Sequence, residues 1–237
     1  MTTEAETAVK VVPDPAREVS IEIDAHLLGR MLPALAKSLP RDDSRPVLTC
    51  VAIAPADDAL DFVVADGWRL LRLSVPIDAE QSRQFAEFLA GDADGMPVGV
   101  TEFLLERDHI KTLTTALKSL KKFLPTAELH FAVAGGIRTL ALRFYGEFKT
   151  PAFSRFDGQF PKYAGLIPDE NRDSDGTVAV NPRFLADLAM AALALGDKEN
   201  PATLRIRLGA ETDPVLMSAT NGGVELTMVQ MPMHMVR

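Results

Sequence analysis

Apolar and polar residues alternate along VSIEID (19–24), with Val19, Ile21 and Ile23 on one side, the period of a half-buried strand. The period then lengthens. Over AHLLGRMLPALAKSL (25–39), Leu27, Leu28, Met31, Leu32 and Leu35 form a helical stripe, with His26, Arg30 and Lys37 off it and Asp24 placed to cap the first turn. Pro33 is a fault in this pattern and should kink or shorten the helix. Three strand-like runs follow: PVLTCVAIA (46–54), ALDFVVAD (59–66) and WRLLRLSVPI (68–77). The order then recurs. TEFLLE (101–106) reads as a strand, Asp108 caps the helix HIKTLTTALKSLKKFL, and ELHFAV (128–133), TLALRFY (139–145) and EFKTPAF (147–153) read as strands. A third round starts at TVAV (177–180). Asn181-Pro182 supplies a cap and first helical position for RFLADLAMAALAL, and TLRIRLG, PVLMSAT and VELTMVQMPM complete the unit.

The chain therefore reads as three copies of strand–helix–strand–strand–strand, each on the order of 75 residues. One such unit is too small to cover its own sheet face, so units should pack side by side as an α+β fold, antiparallel sheets with helices on one face. The divisions predicted are a polar, proline-bearing tail (1–17), a complete two-repeat domain (18–168), an acidic linker DENRDSDG (169–176) and a third repeat standing as a half domain (177–237).

Chemistry is harder to find than architecture. The four histidines, His26, His109, His130 and His234, occupy unrelated contexts, and none neighbours Cys50, the single cysteine. No CxxC or HExxH spacing occurs, and the glycine pairs in AGGIR and NGGVE join strand to strand, whereas a phosphate cradle leads into a helix. A non-catalytic protein without metal or cofactor is expected. One cysteine, no apolar stretch of membrane-spanning length and no basic start followed by an apolar run point to a soluble, cytoplasmic chain. The net charge of −8 announces no polyanion, but steering depends on where charges sit. On the 109–124 helix, Ile110, Leu113, Leu117, Leu120 and Leu124 make the buried stripe, and Lys111, Lys118, Lys121 and Lys122 gather opposite without an acid among them. With Arg30 and Lys37 on the first helix, this is either a solvated face or a sequence-blind contact to phosphates.

RFDGQFPKYAGLIP (155–168) is the other anomaly. Two prolines deny it a helix or a central strand, yet Phe160, Tyr163, Leu166 and Ile167 need cover. Such a loop straps a core or lines a binding site.

Three segments together resemble the bacterial DNA polymerase III β sliding clamp family. RPVLTCVAIAPADDALDFVVADGWRLLRLSVPI (45–77) carries that family's D-G-x-R-L element. FDGQFPKYAGLIP (156–168) is similar to its D-G-x-F-P-x-Y…I-P segment, and VQMPMHMVR to its terminal M-P-M-R. The resemblance covers roughly residues 18–237. It implies the DNA-clamp fold and a middle domain followed directly by the last half of the third. It also implies a processivity factor that holds duplex DNA without reading sequence and tethers a polymerase or other proteins through a hydrophobic peptide-binding groove, with a clamp loader as a possible further partner. By motif position that groove takes Leu48, Ala65, Gly67, Trp68 and Leu70, then Pro161 and Leu166, then Val229, Met231, Pro232 and Met233. The DNA-facing cations would be Arg30, Lys37, Lys111, Lys118, Lys121 and Lys122. The departures are Gly165, where the family commonly has an arginine, and His234, in place of the arginine of the terminal motif. Family rings contain twelve repeats, so three per chain imply self-association as a dimer or tetramer. The third unit, without its partner half, should leave a sheet edge and an apolar helix face open. A clamp-derived module that binds the same peptides without encircling DNA is the alternative.

Overall fold

The computed structural model describes residues 17–91, 99–120, 125–145, 148–168, 178–197 and 199–233. Strand β1 (Glu18–Asp24) buries Val19, Ile21 and Ile23 and leads straight into α1 (Ala25–Lys37), where the Asp24 carboxylate accepts from the Leu27 amide at 2.8 Å. Pro33 lies inside α1 and does not end it. Its ring presses on the carbonyl four residues back, and that residue is Gly29, whose backbone is the most able to yield. The predicted strand 46–54 begins late: Pro46–Thr49 form a 3-10 turn, closed by the Thr49 hydroxyl on the Pro46 carbonyl at 2.7 Å, and β2 spans Cys50–Ala56. β3 (Ala59–Ala65) and β4 (Arg69–Pro76) follow as expected.

A helix that the sequence reading passed over comes next. α2 (Ala79–Ala90) is capped by Asp78 on the Glu80 amide and buries Phe85, Phe88 and Leu89 at helical spacing. The second unit supplies β5 (Phe103–Glu106), α3 (Arg107–Leu120), β6 (Thr126–Ala134), β7 (Ile137–Arg143) and β8 (Phe153–Ser154). β8 is two residues long rather than seven. Beside β7 the Thr150 hydroxyl accepts from the Leu142 amide at 2.9 Å, so a side chain stands where a ladder partner would, and Pro151 follows. The third unit holds α4 (Pro182–Leu195), β9 (Thr203–Arg207), β10 (Val215–Asn221) and β11 (Val224–Gln230). Residues 178–180 of the predicted strand TVAV form none, and Thr177, with the proposed tail through residue 16 and linker 169–176, lies outside the described residues.

The units do not simply lie side by side. The first two exchange their leading strands: β1 pairs antiparallel with β6, with Ile21 opposite Leu129, and β5 pairs with β2, with Phe103 opposite Ile53. One sheet has the order β1-β6-β7-β8, the other β5-β2-β3-β4-β11-β10-β9. The second covers one side of the third unit and leaves the other as the expected open edge. β11 continues the first unit's sheet through β4, with Val229 opposite Leu70, so the edge that remains is β9. Alternation decides the faces. Val51, Ile53, Phe62, Leu71, Leu73, Phe103, Met217 and Met228 turn toward the helices and the main core, where Phe131 of β6 meets Phe85 and Phe103 at 4.4 and 5.3 Å between ring centroids. Cys50, Ala52, Val63, Leu70, Leu104, Leu216 and Val229 turn the other way into a smaller apolar cluster. No helix among the described residues is long and apolar enough to cross a membrane.

Candidate functional site

The smaller cluster lies on the outer face of the seven-stranded sheet, where the first and third units join, and the anomalous loop covers it. Phe160 is buried within it, and Phe156, Tyr163 and Ile167 pack against it. The loop is held from within by polar contacts. The Arg155 guanidinium donates to the carbonyls of Glu102 (3.0 Å), Phe156 (2.9 Å) and Gly158 (2.7 Å), while the Glu102 carboxylate accepts from the Phe160 amide at 2.9 Å. The Tyr163 hydroxyl donates to Asp61 at 3.4 Å. Burial, with the Asp61 charge second, pushes its pKa up to about 12. Burial likewise pushes the Cys50 thiol up to about 12, with Glu106 adding to the shift, so Cys50 is a packing residue and not a nucleophile.

Around this floor stand exposed apolar side chains: Trp68 at 62%, Leu166 at 58% and Met231 at 43%. Large hydrophobic groups in solvent, beside a floor already dry, are the usual mark of a docking surface. The turn before β4 fixes Trp68. Asp66 accepts from the amides of Trp68 and Arg69, both at 3.0 Å, and its second oxygen pairs with the Arg69 guanidinium at 2.9 Å. Gly67 takes φ +91°, and a Cβ there would sit 2.9 Å from the Arg45 guanidinium, whose other nitrogen donates to the Asp66 carbonyl at 3.1 Å. Arg69 then crosses to α4, meeting Asp187 at 2.8 Å and lying 4.5 Å above the Phe184 ring. The tail is tied to the same turn, because the Met231 amide donates to the Trp68 carbonyl at 2.8 Å.

The structure thus joins Leu48, Leu70 and Val229 in one buried floor with Ala65 packed against it, and joins Trp68 to Met231 at its rim. Pro161 and Leu166 are exposed on the loop above. Pro232 is half-buried, and Met233 is exposed, its amide donating to the Ala179 carbonyl at 2.8 Å. Sequence reasoning missed the supports, Arg45, Arg69, Glu102 and Arg155. An arginine beside a glycine turn gives no signal until the fold shows what it touches. A cleft of about 410 Å3 flanks the loop between Pro55, Thr101, Phe160 and Pro161. A larger one, about 690 Å3, lies on the four-stranded sheet by Glu22, Arg143 and Phe148 and shares no residue with this surface.

The cationic face is less uniform than the sequence implies. Lys111 and Lys118 are exposed on α3, but Lys111 pairs with Asp108 at 2.8 Å. Lys121 and Lys122 lie outside the described residues. Lys37 is exposed, whereas Arg30 is turned to the third unit, its Nε donating to the Ala194 carbonyl at 2.9 Å. Arg30 is a helix-end support rather than a cation presented to a ligand. No group of three or more His, Cys, Asp or Glu residues is placed to hold a metal among the described residues.

No protein-family profile matches the sequence, and no curated protein matches it. Three-dimensional similarity is extensive. The DNA polymerase III beta subunit of Thermotoga maritima superposes with TM-score 0.65 at 16% identity, over 98% of this chain and 69% of that one. Caulobacter crescentus pol III beta gives 0.66 at 16% identity, over 94% and 68%. A sliding clamp of Bartonella birtlesii bound to griselimycin gives 0.54 at 15% identity, over 92% and 66%. Nearly all of this chain finds a counterpart, and about a third of each of those chains finds none here.

Proposed function

We infer that this chain, which has the fold of the bacterial DNA polymerase III β sliding clamps, is a shortened clamp-like processivity factor. In this reading it associates with duplex DNA without sequence preference and tethers replication or repair proteins by their clamp-binding peptides. The observation that carries the reading is the rim of exposed Trp68, Leu166 and Met231 over a floor of Leu48, Leu70 and Val229, at the junction of two units. Trp68 offers a broad, stiff face, and the methionine thioether adapts to more than one hydrophobic partner. A peptide with a glutamine and a hydrophobic pair would bury its apolar residues there, with affinity on the order of micromolar, about −8 kcal/mol.

Calorimetric titration with such a peptide tests the reading. Met231→Asp with Leu166→Asp changes two exposed side chains, so the fold should survive while binding disappears. Undiminished heats in that variant would overturn the assignment. The second reading, a peptide-binding module that never encircles DNA, draws on the engagement of Arg30 with Ala194 and of Lys111 with Asp108, which thins the cationic face.

A further inference from the structure

The third unit repeats the order of the first two but lacks what they exchange. Each of those units donates its leading strand to the other's second strand: β1 to β6 and β5 to β2. The corresponding acceptor in the third unit, β9, ends the seven-stranded sheet with no further strand beside it among the described residues. The corresponding donor, residues 178–180, is in no strand. The cost is visible at equivalent positions. The fourth residue of the second strand is Ile53 in the first unit, Leu129 in the second and Ile206 in the third; these are 1%, 2% and 51% exposed. Ile206 lies opposite Met217, a main-core residue, so it faces the side that the other units cover.

The helix repeats the asymmetry. Counted from the first helical residue, α3 exposes Lys111, Thr115 and Lys118 where α4 exposes Ala186, Met190 and Leu193. Met190 is 49% and Leu193 68% exposed, a contiguous apolar stripe on a helix whose counterpart is polar.

We propose that a second copy of this chain completes the third unit, residues 178–180 of each copy adding as an eighth strand to β9 of the other. One unit carries both an unfilled acceptor and an undelivered donor, so a two-fold axis satisfies both with a single isologous contact. The exchanges within the chain set the register. In each, the residue preceding the helix lies opposite the first residue of the acceptor strand: Asp24 opposite Thr126, and Glu106 opposite Cys50. The same rule places Asn181 opposite Thr203, Val180 opposite Leu204, Ala179 opposite Arg205 and Val178 opposite Ile206 of the other copy. The backbone is disposed for it. The Ala179 and Asn181 carbonyls accept from the Met233 amide (2.8 Å) and the Gln230 side chain (3.2 Å). Successive residues of an extended chain point their carbonyls to opposite sides, so as a donor strand Val178 and Val180 would direct theirs away from the tail. Ala179 and Arg205 then form a non-hydrogen-bonded pair, the closer kind, within reach of a disulfide.

Ala179→Cys and Arg205→Cys, made separately, test this. Under mild oxidation an equimolar mixture should give a covalent dimer and neither variant alone should, native Cys50 being buried. Wild type should sediment at twice the 25.7 kDa chain mass or an even multiple of it. Leu193→Glu with Ile206→Glu should at least halve that mass and keep the circular-dichroism spectrum. A single-chain mass for wild type at micromolar concentration, or no cross-link in the mixture, overturns the proposal. Peptide titration of the same variant separates the two readings, since the groove residues are untouched: loss of the dimer leaves the heats intact, and failure of the groove leaves the dimer intact.

Discussion

Arg69 is buried, and its guanidinium meets Asp66 at 2.9 Å, Asp187 at 2.8 Å, the Lys37 carbonyl at 3.1 Å and the Phe184 ring. It links the Trp68 turn, the end of α1 and the start of α4. Replacing it by methionine strands Asp66 away from water without its partner. Loss of one member of a buried pair is worth about 3–5 kcal/mol, so Arg69→Met should lower the urea midpoint accordingly. Arg69→Lys should recover little, because an ammonium cannot reproduce the planar fork. A midpoint unchanged in either variant would mean that the turn is held by packing alone. Two further residues set a pH response. The folded values of Cys50 and Tyr163 rise from 9.0 and 10.0 to about 12, so the native state keeps protons that the unfolded chain releases. Their contribution is whole below about pH 9 and is lost as pH climbs through 12. Urea midpoints between pH 8 and 11 should fall for wild type, and more shallowly for Tyr163→Phe. These residues could be named from motif position or composition, but not their roles: nothing in D-G-W-R-L says that the arginine points inward while the tryptophan points out.

At the scale of elements, periodicity carried the reading as far as it can. It found α1, α3 and α4 because each buries one stripe, and the long strands because their apolar residues alternate or, where both faces are covered, run together. It missed α2, although Asp78 and the Phe85, Phe88, Leu89 spacing were there, because α2 lies between two repeating units and is no part of the order that repeats. It also missed the strand exchange. A period of two tells which side chains are buried and says nothing of which strand lies alongside. The cationic face is the element-level claim most open to test. Lys111→Glu with Lys118→Glu, Lys121→Glu and Lys122→Glu should weaken DNA association alike on unrelated sequences and flatten its dependence on salt, since each phosphate contact releases counterions. Retention equal to wild type would assign that face to solvent and favour the peptide-binding module. Lys111→Glu alone should do less, because its partner Asp108 already offsets that charge.

For the whole molecule, the question is what three units per chain can close. The shared sheet from β5 to β9 joins the first and third units through β4 and β11, so among the described residues its outer edges are what it offers for assembly. A two-fold pairing of third units gives six units and three complete domains. A ring of twelve, as the clamp resemblance implies, needs two such dimers, and the remaining contact must be made by the second units at the far ends. β8 is an edge there, short and flanked by Pro151, a poor template for extending a sheet. This second contact should therefore be the weaker of the two. Mass should move from two chains toward four as concentration rises, with the Ala179–Arg205 cross-link present throughout. Topology gives the sharper measurement. A closed ring is retained on a nicked DNA circle and released when the circle is cut, whereas an open dimer held by charge leaves both substrates equally as salt increases. Equal retention on circle and linear DNA, with a two-chain mass at every concentration, would assign this chain to the open, peptide-binding form.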